Sequence, residues 1–401
     1  MAEHSPGSQA RRFILGLGAS ALLALSLSGC QLVPKPRPDL PPEEEVRPDV
    51  EPEREEAPGT RLPPGETRNR VAVLVPISGA NAGVGQSIAN AANLALLDAG
   101  GERIRITVYD TARGGAAAAA SQALAEGNGL FLGPLLADDV RAVAAIARRA
   151  DVPVISFSND TSVAGNGVYL MGFTPSQSIG RVVGHARSVG LENFGVLAAN
   201  GVYGRRASDA MVESVEDSGG RLVSMQNYDG GPGSVRAAVA RLYGQGDYDA
   251  VLIADGGRGA AAAAPLLKSG ANARVRLLGS ELWATETGLG RTPALRGAWY
   301  ASVGDSMFNQ LRTRYRARYG ANPYRLASLG YDSVLLTVRI AKNWRLGRAF
   351  PERELRDPTG FAGVDGAFRF TSSGIAERSL EVREVTAAGT IVVSPAPRSF
   401  D

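Results

Sequence analysis

The 401-residue chain is poor in the residues on which most catalytic chemistry depends. It has one cysteine and two histidines, and aromatic residues make up only 6% of it. A single cysteine rules out an intrachain disulfide. His4 lies in the extreme N-terminal stretch, which leaves His185 alone among Ile179, Val182, Val183 and Ala186 on a helix-like segment. One imidazole cannot build a His-rich metal site, and no acidic run has the spacing of a calcium loop, so no metal is expected. There is no Gly-Lys-Ser/Thr phosphate loop, and Gly83-Val84-Gly85 lacks the third glycine of a dinucleotide fingerprint because Ile88 stands there. No Gly-x-Ser-x-Gly elbow occurs. No cofactor is implied, and the reading is of a binding protein, not an enzyme. The 43 basic and 40 acidic residues are interspersed, without the basic stripe of a nucleic-acid binder.

What is present begins with an address. Arg11 and Arg12 precede an apolar run from Phe13 to Leu27, which ends in Leu27-Ser28-Gly29-Cys30. A charged flank, a short apolar core and small residues before a cleavage point describe a secretory signal over residues 1–29, too short to span as a mature helix. The tetrapeptide resembles the bacterial lipobox, which implies lipid attachment at Cys30 and stable anchoring by more than one acyl chain. Gln31 follows, where such lipoproteins carry Asp when kept at the inner membrane. The resemblance therefore implies the periplasmic face of the outer membrane. Residues 30–69 are built of proline, glutamate and arginine and have too few apolar groups to offset the entropy of folding. They read as a disordered tether whose limit is on the order of 100 Å at ~3.1 Å per residue.

Folded sequence starts at Val71-Ala72-Val73-Leu74-Val75. A continuous apolar run of strand length predicts a strand covered on both faces. Similar runs recur at Ile104–Tyr109, Leu130–Leu132, Val152–Phe157, Phe194–Ala198, Leu222–Met225, Ala250–Ala254 and Val275–Leu278. Helical spacing fills the gaps, as in Ile88, Ala91, Ala92 and Ala95, or Tyr203, Ala207, Ala210, Met211 and Val215. Alternating strands and helices predict an α/β fold of doubly wound parallel sheets. The strands are too many for one such sheet, so two lobes are expected. Ligands of these folds bind in loops at the carboxyl ends of strands. Those loops hold the candidate ligand-binding residues: Ser78, Ser158, Asn159, Thr161, Tyr203 and Asp255.

Four segments together resemble the type I periplasmic binding proteins of the leucine/isoleucine/valine-binding superfamily. They are Val71–Gly79 with the Asn90-Ala91-Ala92 helix, Gly133-Pro134-Leu135 through Val152–Ser156, Tyr203-Gly204, and Ala327–Ser333. Gly363–Phe370 matches as well. The resemblance implies two lobes joined by three crossovers, expected near Thr174–Ser178, Tyr300–Val303 and Asn343–Arg348. Lobe 1 would hold residues 70–175 and 303–345, and lobe 2 residues 176–302 and 346–401. Within the superfamily the segment Ser156–Gly165 is most similar to the lipoproteins called penicillin-binding protein activators. That implies a peptidoglycan synthase as partner, contacted across the periplasm by the tethered domain. The alternative is an ABC-transporter receptor for amino acids or similar solutes bound between the lobes. In amino-acid-binding relatives a hydroxyl after the Gly-Pro strand grips the ligand carboxylate. Here Ala137 takes that place, which argues against a standard amino-acid ligand.

Overall fold

The computed structural model describes residues 62–397 and residue 400. The expected signal segment, Cys30 and most of the expected tether lie outside the described residues. The tether's last residues are described, and Glu66 there accepts a hydrogen bond from Arg105 Nη1 at 3.2 Å.

The first sheet is parallel throughout. Its strands β1 (Asn69–Val75), β2 (Ile104–Asp110), β3 (Asn128–Leu132), β4 (Val154–Ser156) and β5 (Val168–Leu170) lie in the order β2-β1-β3-β4-β5. Between them run α1 (Ala82–Ala99), α2 (Ala116–Ala125) and α3 (Ala137–Ala147). Successive side chains of a strand face opposite ways. Val71, Val73 and Val75 therefore enter one core, and Ala72 and Leu74 enter another. Two covered faces are why the strand sequences read as unbroken apolar runs.

The chain then leaves for a second sheet. After α4 (Pro175–Ser188) come β6 (Asn193–Ala199), α5 (Val202–Asp217), β7 (Arg221–Tyr228), α6 (Pro232–Tyr243), β8 (Ala250–Ala254), α7 (Gly257–Leu267), β9 (Arg276–Gly279) and β10 (Trp299–Ser302). Here too the faces separate: Leu197, Val251 and Ile253 pack on one side, and Val196, Ala198 and Leu252 on the other. Next, α8 (Ser306–Tyr319) and α9 (Ala327–Ile340) return to the first core. A small antiparallel sheet follows, of β11 (Phe361–Gly363), β12 (Gly366–Phe370) and β13 (Ala376–Arg378). Finally β14 (Glu381–Thr386) and β15 (Gly389–Ser394) join the second sheet as antiparallel edge strands, in the order β15-β14-β10-β9-β8-β6-β7.

The α/β architecture of two doubly wound lobes with three crossovers is the one expected. The first crossover follows β5 and the second follows β10, both close to their expected places. The third is a correction. It lies at Ser379-Leu380, not at Asn343–Arg348, so residues 346–378 belong with the first lobe. The cause is aromatic packing: Phe361, Phe368 and Phe370 are buried in the first core, and the Phe370 ring stands edge-on to Tyr169 at 5.2 Å. Trp344 and Phe350 pack edge-to-face at 5.1 Å in the same core.

Candidate ligand-binding cleft

The three crossovers converge and are stitched together by side chains. Ser178 Oγ donates to the Ala301 carbonyl at 2.8 Å, tying the first crossing to the second. The Arg378 amide donates to Gln177 Oε1 at 3.0 Å, and Arg181 Nε to the Leu380 carbonyl at 2.9 Å, tying the first to the third. Against this seam lies a cavity of about 450 Å³, within the range of small-molecule sites. Phe173 and Thr174 line it from the first crossing, Ser302 and Val303 from the second, and Arg378 and Leu380 from the third.

Its walls are mainly apolar. Leu135, Leu136 and Phe157 come from strand-end loops of the first lobe, and Leu282 and Ala284 from the second. Gly133 makes the leucine wall possible. It turns the chain at φ +98°, and a Cβ there would stand 2.1 Å from the Leu74 carbonyl oxygen. Gly204 does the same for the first turn of α5, where a Cβ would meet the Ala199 oxygen at 1.8 Å. That close seat on β6 brings Tyr203 to the turn that follows β9.

Two groups of polar side chains, buried or half-buried, reach this cavity. On the second lobe, Glu281 opens the 3-10 turn Glu281–Thr285. The Tyr203 hydroxyl donates to its Oε1 at 2.9 Å and lies 2.6 Å from Ser280 Oγ. Glu281 Oε2 is buried without a hydrogen-bond partner among the described residues. Burial pushes the Glu281 carboxyl up to about 7, against the opposing pull of its own amide and the Tyr203 hydrogen bond.

The other group belongs to the first lobe and the third crossing. Arg378 donates from Nη2 to the Met171 carbonyl at 2.6 Å, while its Nε and Nη1 have no acceptor among the described residues. Its guanidinium carbon stands 4.9 Å from the Phe173 ring centre and 5.3 Å from that of Phe368. Arg325, just before α9, pairs through Nη1 with Asp365 Oδ1 at 2.6 Å, and among the described residues its Nη2 has no acceptor. Behind it, Asp332 accepts the Val364 amide at 2.7 Å and the Asp365 amide at 3.2 Å. Burial, then the neighbouring Asp365 charge, raises the Asp332 carboxyl well above its usual range. Ser302, also lining the cavity, has no hydrogen-bond partner for its Oγ among the described residues.

The residues expected from sequence are spread around this site. Asn159 is on the cavity wall. Ser158 is buried beside it, its Oγ accepting the Asp160 amide at 3.2 Å. Thr161 is exposed at the start of a 3-10 turn. Ser78 is hydrogen-bonded to Asp110. Tyr203 acts through Glu281, and Asp255 accepts hydrogen bonds from the Tyr228 hydroxyl and, at 2.7 Å, from the Gly256 amide. Ala137 is the first residue of α3, and the neighbouring wall is Leu135 and Leu136. Sequence reasoning missed Glu281, Ser302, Arg325 and Arg378. The strand-end rule points to the first two, since they close β9 and β10, whereas nothing local marks Arg378 on an antiparallel strand. It also missed Asp160, which ion-pairs with Arg141 at 3.3 Å and with Arg206 on α5, so linking the lobes.

Solved structures share this architecture. Leucine binding protein LivK of Thermotoga maritima superposes with a TM-score of 0.59 at 19% identity, covering 82% of this chain and 99% of its own. The C-domain of LpoA from Haemophilus influenzae, described as a regulator of PBP1A, gives 0.64 at 18% identity over 81% and 100%. An uncharacterized protein of Rickettsia prowazekii, RP748, is 24% identical over 178 residues, which are 44% of this chain and 48% of that protein. The match thus spans about half of that relative's length. The sequence profile described as periplasmic binding protein matches residues 69–390, and the chain belongs to that family.

Proposed function

We propose that the chain is a lipid-anchored solute receptor of the periplasm whose hinge-side cavity binds a small molecule. The family is one of binding proteins, and its name carries the compartment. One observation supports the reading above others. Five buried nitrogens and oxygens on four cavity-lining side chains, Glu281, Ser302, Arg325 and Arg378, have no hydrogen-bond partner among the described residues. Each buried polar group left unpaired costs about 1–3 kcal/mol, more when charged. A domain serving only as a docking surface would be free to fill that space with apolar side chains. A thermal-denaturation screen of the full chain, purified in detergent, against organic acids, amino acids, sugars and nucleosides tests it. Saturable stabilisation by one class is expected, and none by any class contradicts a receptor.

A second reading, regulation of a peptidoglycan synthase from the outer membrane, draws on Cys30, Gln31 and the proline- and glutamate-rich stretch. LpoA, which shares the fold, is described as a regulator of PBP1A. The two readings part on location and reach. A transport receptor must meet an inner-membrane permease, whereas a regulator anchored opposite its synthase needs a long tether. Fractionation of wild type and Cys30→Ala tests the anchor: wild type should follow the membranes, and the variant should remain unprocessed or become soluble. Progressive deletion between Pro34 and Pro64 should show a length threshold in a cell-wall sensitivity assay for a regulator, and none for a receptor.

A further inference from the structure

We infer that the pole of the first lobe opposite the cleft docks on an anionic phospholipid bilayer, with Leu346 entering the headgroup layer and the surrounding cations resting on lipid phosphates. The lipid-anchored reading above supplies the nearness of a membrane; the docking face itself rests on other residues. No helix among the described residues is long and apolar enough to cross a membrane, so this contact is peripheral. Leu346 is 51% exposed, and a lone exposed leucine is ordinary on a protein surface. This one is held out. The Arg348 amide donates to the Arg345 carbonyl at 3.1 Å, and Gly347 follows Leu346 at φ +71°, closing a tight turn with the leucine at its tip. The turn is braced from below. The Gly347 amide donates to Asn69 Oδ1 at 3.1 Å, Asn69 Nδ2 to the Trp344 carbonyl at 3.1 Å, and Trp344 Nε1 to the Arg348 carbonyl at 2.7 Å. Asn69 and Trp344 are both buried. A leucine on a braced turn loses little conformational entropy when an interface covers it.

The charge around the tip is mostly of one sign. Residues 339–356 hold six cations, Arg339, Lys342, Arg345, Arg348, Arg353 and Arg356, against two acids, Glu352 and Glu354. That net of +4 exceeds the +3 of the entire chain, so the remainder is close to neutral. Glu352 is engaged inward, accepting from the buried Tyr169 hydroxyl at 2.6 Å. Lys342, Arg345, Arg348 and Arg353 are exposed, and none has a side-chain hydrogen bond or ion pair among the described residues. Lys342 and Arg353 also line an open groove of about 560 Å³ with Arg339, Arg356, Glu354 and Asp357. There Arg339 is taken by Asp357 at 3.0 Å and Arg356 by the Tyr169 hydroxyl at 3.1 Å, which leaves the lysine and Arg353 for an incoming phosphate. An exposed cation at an anionic bilayer contributes roughly fivefold to binding. An apolar side chain among such cations adds the burial that a purely charged patch lacks.

The first sheet fixes this pole relative to the cleft. Its five strands run parallel, and Asn69, which braces the turn, is the first residue of β1. The cleft residues Leu135 and Phe157 follow the other ends of β3 and β4. Docking through Leu346 therefore points the cleft away from the bilayer and leaves it open to solute. The chain also enters the lobe here: Leu62 Cδ1 would stand 3.9 Å from a Cβ on Gly347. Composition disfavours a protein surface as the occupant, because the cores of protein interfaces are depleted in charged residues and unpaired cations around one leucine would need a matching acidic partner.

Fluorescence quenching on the full chain tests this. Leu346→Trp places an indole at the tip, and the vesicles carry brominated acyl chains in phosphatidylcholine alone or mixed with phosphatidylglycerol. The native Trp283, Trp299 and Trp344 are buried, so quenching above the wild-type background reads contact at residue 346. Strong quenching is expected with phosphatidylglycerol at low salt, falling at high salt as the charges are screened. Little is expected on phosphatidylcholine alone. Adding Arg345→Gln and Arg348→Gln should weaken docking about twentyfold, at roughly fivefold per cation. Val202→Trp, at an exposed position on the second lobe, should not be quenched. Because quenching is read at one residue, an anchored chain that does not dock is told apart from one that does. Equal quenching in the two kinds of vesicle, or at positions 346 and 202, overturns the inference, as does quenching that survives the double arginine substitution. No quenching at position 346 also overturns it and leaves the turn to a protein partner. The anchor is judged separately by the membrane fractionation above, and the receptor reading by the solute screen.

Discussion

The two charged ends of the cleft solve one problem differently. Arg378 is buried and Glu281 half-buried with its Oε2 enclosed; both line the cavity, and both keep polar atoms without hydrogen-bond partners among the described residues. The acid can give up its charge, and burial moves its carboxyl toward neutral pH. The arginine has no such route and is held by a carbonyl, two rings and the field of Asp365 and Asp332. The arginine end is therefore a fixed charge set beside two carboxylates, and the acid end is a group whose state follows pH.

Breaking the arginine end should have the largest effect. Asp365→Ala removes the buried carboxylate paired with Arg325 and one of the two carboxylates whose field reaches Arg378. Removing one partner of such a pair costs on the order of 3–5 kcal/mol. Urea unfolding should show the loss. A loss under 1 kcal/mol would mean that the pair is not needed.

The acid end sharpens the comparison through pH. The carboxyl of Glu281 is raised in the folded state from the ordinary 4.5 to about 7. The folded protein thus binds more protons than the unfolded chain between those values, and stability falls as pH rises through that window. Glu281→Gln removes this dependence. Relative to wild type the variant should be more stable above pH 7, by on the order of 3 kcal/mol, with no gain near pH 4. A difference between the two proteins that does not change with pH contradicts the burial argument.

Smaller effects are expected where solvent reaches. Arg206 bridges from α5 to Asp160 on the first lobe, but it is partly exposed. Arg206→Ala should cost about 1 kcal/mol or less. Its clearer sign would be a larger radius of gyration by small-angle scattering as the lobes separate more often. An unchanged radius in the absence of ligand would show that the crossing seam alone sets the lobe angle. Least of all, Asn159→Ala on the open wall should change ligand affinity only a few-fold, within the range of one hydrogen bond.

How much of this was legible in the sequence follows from which forces are local. The parallel strands announced themselves because both faces of each sheet are covered, as Val71 to Val75 illustrate. Asn159 and the Tyr203 neighbourhood were reachable from the strand-end rule. The third crossover was misplaced because Phe361, Phe368 and Phe370 could pack on either lobe, and only tertiary contact with Tyr169 decides. Arg378 was invisible for the same reason. It lies at the end of an antiparallel strand, far in sequence from Met171 and Phe173, and becomes a site residue only where the third crossing meets the first.

Scanning calorimetry of the full chain with increasing concentrations of organic acids, amino acids, sugars or nucleosides tests the solute-receptor reading most directly. A ligand that binds only the folded state raises the melting temperature with its concentration. One class should stabilise wild type progressively and saturably, and Arg378→Met on the cavity wall should blunt that response. No saturable stabilisation by any class, or an Arg378→Met response that matches wild type, would contradict a binding cleft lined by Arg378.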